Sequence, residues 1–275
     1  MGPRARQVRD DLTALVRPAP RDLLRIQLDD RALFLDRWRQ FLLDEVRSDE
    51  RRREFRQLLE RSWDGRASAE SVGYRLVHDF RLELARLVIG PLIAPCVTAN
   101  ADFDFRRNSI IEWWESALWR LVHERPRHLL EPRWRDWDAV ISEAVDRTVA
   151  MATADGRPLA SATWGTTMRP IAHPLSRALP WLAPWLDMPS RPLPGDVNMP
   201  RVRMPIAQGE VGASLRMVVA PGHEERGIFH MPAGESGHPL SPHYRDMQDD
   251  WVEGRATPFL PGSAVRTLLL QPTTR

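Results

Sequence analysis

The stretch Gly234-Glu235-Ser236-Gly237-His238-Pro239-Leu240-Ser241-Pro242-His243-Tyr244-Arg245-Asp246, with Trp251, Gly254 and Pro258 following, decides how the rest of the chain is read. Gly234-Glu235-Ser236-Gly237 is not a nucleophile elbow. That motif needs Gly-x-Ser-x-Gly, and position 238 is His, so no strained turn exposing a serine is specified. His238 and His243 are off the i, i+4 spacing that puts two ligands on one helix face, and no cysteine is near to complete a zinc site. Ser236, His238, His243 and Asp246 are the residue types of a hydrolytic triad, but their spacing does not dictate mutual hydrogen bonds. A rigid turn whose polar groups satisfy buried backbone is the expectation.

Upstream of this run the texture is loop-rich. Proline and glycine are dense from Arg157 to Pro205, and short runs of β-formers follow at Leu215 to Ala220, Gly227 to Met231 and Val265 to Leu270. Pro221 to Gly227 reads as a hairpin loop. Leu215-Arg216-Met217-Val218-Val219-Ala220 and Thr267 to Leu270 are apolar on both faces or nearly so, which suits strands buried between layers. So few strands cannot cover both of their own faces, and without helices or another polypeptide over them they leave open edges.

The first half is helical by periodicity. Phe34, Leu35, Trp38, Phe41 and Leu42 follow the i, i+3, i+4, i+7 rule, as do Val77, Phe80, Leu84, Leu87 and Val88. Ile110, Ile111, Trp114, Leu118, Leu121 and Val122 form a third stripe, and Val140, Ile141, Ala144, Val145 and Val149 a fourth. Breaks are expected at Pro18 and Pro20, at Trp63-Asp64-Gly65, across Gly90 to Pro95, and at Pro126. Ser48 and Asp49 are the candidate N-caps of the arginine-rich helix, and Asp22 of the one before it. The fold class is α+β: a helical region over 1–155, then a proline- and glycine-rich connection and β-rich region over 156–275.

Composition narrows the function classes. The 275 residues include no lysine, so all 39 basic residues are arginine; against 37 acids the net charge is +2. Nucleic-acid binding needs clustered positive charge, whereas Arg51-Arg52-Arg53 lies between Glu50 and Glu54 and reads as solvated helix face. Cys96 is the only cysteine, so no intrachain disulfide can form, and its apolar setting predicts a buried, inert thiol. The apolar run Leu87 to Val97 is too short to cross a bilayer. No apolar h-region opens the chain, so as it stands it reads as cytoplasmic. Asp29 and Asp30 are the residue types of a carboxylate pair for acid–base work, but adjacent residues do not share a helix face, so helix surface or a cap is expected. The tryptophans, including Trp113-Trp114, Trp181 and Trp185, are expected to pack in the core or a lid.

The Gly-x-Ser-Gly…His-Tyr-x-Asp…Trp pattern of residues 234–251 resembles the C-terminal signature of the penicillin acylase (penicillin amidase) family. Further resemblances keep the family's order. The segment from Gly2 to Leu12 is similar to its Arg-x-x-x-Ile-x-x-Leu helix, with Val8 at the isoleucine position, and Gln27-Leu28-Asp29 to its Gln-x-Asp segment. Trp63-Asp64-Gly65 is similar to the turn dividing the next two helices. His173-Pro174-Leu175 and Gly195-Asp196-Val197-Asn198 are similar to the entry into its final sheet. The resemblance makes Trp63, Asp64, Gly65, Gly234, Ser236, Gly237, His243, Tyr244 and Asp246 structural motif positions.

The resemblance implies the back portion of an αββα N-terminal-nucleophile hydrolase. In that family a serine made N-terminal by self-cleavage attacks a linear amide, and its own α-amine, titrating near pH 8, serves as base. No serine occurs in the first ten positions, so the nucleophile is expected upstream, and the resemblance implies that the oxyanion asparagine and the calcium-binding acids lie there too. No metal or cofactor is expected on this chain. One catalytic position carries over, Arg4, which would orient the active-site amide and serine through charge-assisted hydrogen bonds. The implied partner is the upstream catalytic segment of the same precursor or a separate subunit. The implied substrate is a small acylated amide such as a β-lactam side chain or an acyl-homoserine lactone. A full precursor would be periplasmic or exported. The alternative is a non-enzymatic helical interaction module that retains the scaffold.

Overall fold

The computed structural model describes residues 2–46, 52–100, 103, 114–169, 171–206 and 209–272. The candidate caps Ser48 and Asp49, the charges Glu50 and Arg51, the stripe residues Ile110 and Ile111, and Trp113 lie outside the described residues.

The chain is α+β. Helices α1 (Pro3–Thr13), α2 (Pro20–Gln27), α3 (Asp36–Glu45) and α4 (Arg53–Arg61) precede the long α5 (Val72–Ala99). After it come α6 (Glu115–Glu124), α7 (Trp137–Ala152) and two short helices, α8 (Pro174–Ala178) and α9 (Ala183–Leu186). Strand β1 (Arg203–Ile206) pairs antiparallel with β2 (Gly209–Gly212), and β3 (Arg216–Val218) with β4 (Ile228–His230). Helix α10 (Gln248–Glu253) comes last.

Periodicity explains the helical core. Leu35, Trp38, Phe41 and Leu42 are buried against Val77, Phe80, Leu84, Leu87 and Val88 of α5, Leu118 and Val122 of α6, and Val140, Ile141, Ala144 and Val145 of α7. At ~25 cal/mol per Å² of apolar surface removed from water, these stripes are the main driving force for the layer. A buried charge network fixes their relative positions. Glu115 of α6 accepts from Trp38 Nε1 at 2.7 Å, Arg37 at 2.6 Å and Arg81 at 2.7 Å. N-caps are local: the Ser71 hydroxyl accepts the Tyr74 amide, and the Asp136 carboxylate the Ala139 amide. Asp22 is not an N-cap. It sits in the third position of α2, where its carboxylate accepts the Ala19 amide at 3.0 Å.

Two local expectations are corrected. Gly90 to Pro95 does not break the chain, because α5 continues through Pro91 and Pro95 to Ala99. Each proline removes one N–H donor, but the preceding turns are locked in the core, which holds the helix on its course into the mostly exposed last turns. Cys96 is exposed on this end, not buried. Helix α5 has the length and apolarity to cross a membrane. Its residues from Val72 to Ile89 are largely core, however, and the exposed remainder is short of the ~20 residues a span needs.

The strand readings divide. β3 and β4 form the expected hairpin, with Met217 opposite Phe229. It is not apolar on both sides: Arg216 and Val218 point inward, while Leu215, Met217 and Val219 are exposed. Helix α2 covers the inner face, where Leu24 packs on Val218 and Ile228. Val265 to Leu270 is not a strand. Leu268 is 83% exposed and the run has no ladder partner among the described residues, so high β-propensity alone leaves it unpaired. Trp181 and Trp185, expected in core or lid, form an edge-to-face pair that is exposed, whereas Trp114 is buried.

Candidate functional site

The segment Asp29-Asp30-Arg31 leaves the end of α2 and becomes a polar node. Neither aspartate is helix surface or cap, as the expectation had it; both are buried. The Asp29 carboxylate accepts from Gln7 Nε2 at 2.6 Å, from Arg31 Nε at 2.9 Å and from the Arg31 amide at 3.0 Å. Arg31 also reaches Asp11 at 2.5 Å. Burial alone would push Asp29 upward, but the bonds from Arg31 and Gln7 outweigh it and hold the carboxyl down to about 2. The same burial raises Asp11. Asp30 lies 2.6 Å from Arg66 and 3.7 Å from Arg201.

Backbone bonds bring two distant motifs to this node. The Ala32 amide donates to Gly65 O and the Ala67 amide to Asp30 O, which fixes the Trp63-Asp64-Gly65 turn between α4 and α5. Gly65 adopts a left-handed φ of 71°, Asp64 accepts the Arg66 amide and the Ser68 hydroxyl, and the Trp63 ring stacks on Tyr74. The Arg201 amide donates to Asp29 O, and the Gly195 amide to Ala67 O. At Gly195 φ is 100° and an added Cβ would lie 1.9 Å from Arg201 O, so only glycine fits. Asp196 then accepts from Tyr74 Oη at 2.6 Å and lies 4.0 Å from His78 Nε2; His78 Nδ1 is 3.0 Å from Asp79. Burial favours neutral His78, yet the Asp79 bond and the two carboxylate charges prevail and raise it.

Helix α1 lies on the other side of the node and carries Arg4, which is exposed. Along one face of α1 run Arg4, Gln7 and Asp11, spaced i, i+3, i+7. A cleft of about 930 Å³ opens between α1, α2 and the Gly254 to Ala256 segment, bordered by Arg25, Asp29, Arg31 and Arg66. Arg4 is not in its wall.

The C-terminal run is a closure rather than a triad. At Gly234 an added Cβ would meet His243 O at 2.2 Å, and the Ser236 amide donates to that same carbonyl at 3.0 Å. Ser236 Oγ accepts the His238 amide. His243 Nδ1 and Asp246 do meet, at 2.8 Å and in the open, a pair that spacing alone did not predict. Tyr244 Oη donates to Leu186 O, Arg245 to Asp187 O, and Trp251 Nε1 to Ala213 O. These bonds strap the run onto α9 and the β2–β3 connection. An added Cβ at Gly237 would meet nothing. His173-Pro174-Leu175 opens α8 rather than a strand, with His173 Nδ1 accepting the Leu175 amide.

Sequence reasoning missed Gln7, His78 and Arg201, and placed Asp29 and Asp30 on a helix surface or cap. The signal for the node was present in Asp29-Asp30-Arg31 just past a helix end, where acids beside an arginine form turn-like pairs rather than helix surface. Nothing local marked Gln7 as buried in so polar a helix. Among the described residues no cluster of three His, Cys, Asp or Glu side chains is placed to hold a metal ion.

Residues 1–264 match the family model for penicillin amidase. The chain is also 33% identical, over 209 residues, to the penicillin acylase 2 proenzyme of Pseudomonas sp. (strain SE83). That similarity covers 72% of this chain and 25% of the proenzyme, so the chain spans about a quarter of its relative's length. With a match from the first residue through the C-terminal closure, the chain belongs to the penicillin amidase family.

Proposed function

We propose that this chain supplies the C-terminal part of an amidase that hydrolyses a linear carbon–nitrogen amide through a serine carried elsewhere in the precursor. The observation that carries this reading is the family match over residues 1–264 of a chain spanning a quarter of a proenzyme. In the assembled enzyme the serine's own α-amine takes the hydroxyl proton, and the serine oxygen attacks the amide carbon. The amine departs on collapse of the tetrahedral intermediate, and water releases the acid from the acyl-enzyme. Arg4 orients the active-site amide and serine by planar, charge-assisted hydrogen bonds. Calcium, where the enzyme uses it, is held by residues of the upstream segment. The substrate is a small acylated amine, and the precursor is exported.

The exposed apolar row of the hairpin and the uncovered leucines at 268–270 support docking against a sheet begun by that segment, which would complete a sandwich of two sheets between helical layers. The test is co-expression with an upstream segment built on the proenzyme's plan, followed by assay on phenylacetyl and long-chain acyl chromogenic amides. Turnover by the co-purified pair is the expected result. A pair that does not associate, or associates without turnover, overturns the reading.

A further inference from the structure

Helix α1 is attached in an unusual way. No residue of it belongs to an apolar core cluster, and its one buried residue is Gln7. Leu12, the large apolar side chain at its end, is 45% exposed. What holds the helix is the side chain of Gln7, whose amide donates to Asp29 Oδ2 at 2.6 Å and to Arg31 O at 3.3 Å, reinforced one turn later by the Arg31 to Asp11 bond. Arg31 grips both oxygens of Asp29 with two nitrogens, so the buried carboxylate is charged and its orientation does not depend on α1 alone. Backbone bonds from Asp29 O and Asp30 O to Arg201 and Ala67 set that grip on the main body of the fold.

Arg4 lies one turn toward the N-terminus from Gln7, on the same face. A rotation of α1 about its axis, or a tilt away from Asp29, would therefore swing Arg4 directly. The geometry points to Asp29 as a positioning residue that acts through Gln7: it fixes the direction in which Arg4 leaves this chain. This inference rests on the reading that Arg4 serves the active site. Asp29 touches neither substrate nor nucleophile and contributes by aim alone, and displacement of a group by about 1 Å costs on the order of a hundredfold in rate.

The experiment is a double-mutant cycle in the assembled enzyme, paired with amide hydrogen exchange. Gln7→Met removes the clamp while leaving the Arg31–Asp29 pair intact; Asp29→Asn removes the charge. Each should speed exchange across residues 5–13 without changing α5 or α7, and each should lower kcat about tenfold to a hundredfold with KM little moved. With Arg4 already replaced by Ala, neither should cause further loss, because they act through the missing group. Unchanged exchange in α1, or losses that add to that of Arg4→Ala, would overturn the positioning role alone. Full kcat in Arg4→Ala removes the role of Arg4 and the inference with it, an outcome recorded by that single variant.

Discussion

Two glycines make opposite demands on the same chemistry. Gly195 has a left-handed φ and Arg201 O where a side chain would begin, whereas an added methyl at Gly237 meets nothing. Gly195→Ala should therefore cost about 3 kcal/mol or more in chemical denaturation, through strain and displacement of the Arg201 turn. Gly237→Ala should stay within about 0.5 kcal/mol. Equal effects would show that the node does not set the backbone at 195. His78 gives a second residue-scale test. Against the downward pull of its burial, and of Arg81, its folded pKa is raised by Asp79 and Asp196. The stability it contributes is fully present below the unfolded value of 6.5 and is lost as pH rises through the folded value. His230, lowered mainly by burial, contributes the other way, its share being lost as pH falls below 6.5. The difference between the wild type and His78→Gln, followed by thermal unfolding, should therefore shrink from pH 6 toward alkaline pH. A difference that grows with pH contradicts the assignment.

At the scale of elements, the hairpin and the chain beyond it are the least satisfied parts. Leu215, Met217 and Val219 form an exposed row, and the Phe229 amide of β4 donates to Thr257 O, with the Phe259 amide donating to Gly227 O just before β4, ahead of the uncovered leucines at 268–270. The isolated chain should self-associate in size-exclusion chromatography, and Leu268→Asp with Leu270→Asp should shift it toward monomer. A wild-type chain that elutes as a stable monomer contradicts this. These elements also show where the sequence was legible. The stripes of α3, α5 and α7 could be read because a 3.6-residue period survives any context in which one face is buried. The continuation of α5 could not, since whether Pro91 ends a helix depends on how firmly the turns before it are held. β1 and β2 were hidden by Pro205 and Gly209, residues that argue against strand. Val265 to Leu270 has strand composition, but a ladder needs a partner that no local pattern supplies. The closure at 234–251 was recognisable by its residues, while its bonds to α9 depend on distant backbone.

For the whole molecule, the node at Asp29 links α1, the Gly65 turn and the Gly195 turn, so motifs far apart in sequence serve one geometric purpose. Arg4→Ala in an assembled enzyme should lower kcat about a hundredfold, the cost of one preorganised donor at about 3 kcal/mol. It should leave association unchanged, because assembly depends on apolar burial that an exposed arginine hardly enters. Arg4→Lys should recover little, since an ammonium lacks the planar fork. Retention of both partners with full activity in Arg4→Ala would leave this chain a scaffold alone. Completion by this chain of an amidase whose nucleophile lies upstream can be measured by titrating it into a fixed amount of the purified upstream segment and following release of a chromogenic amine. This chain alone should show no turnover, and activity should rise with added chain and saturate at one-to-one. Turnover by the isolated chain above a heat-killed control, or none at any ratio in a complex that forms, would contradict that completion.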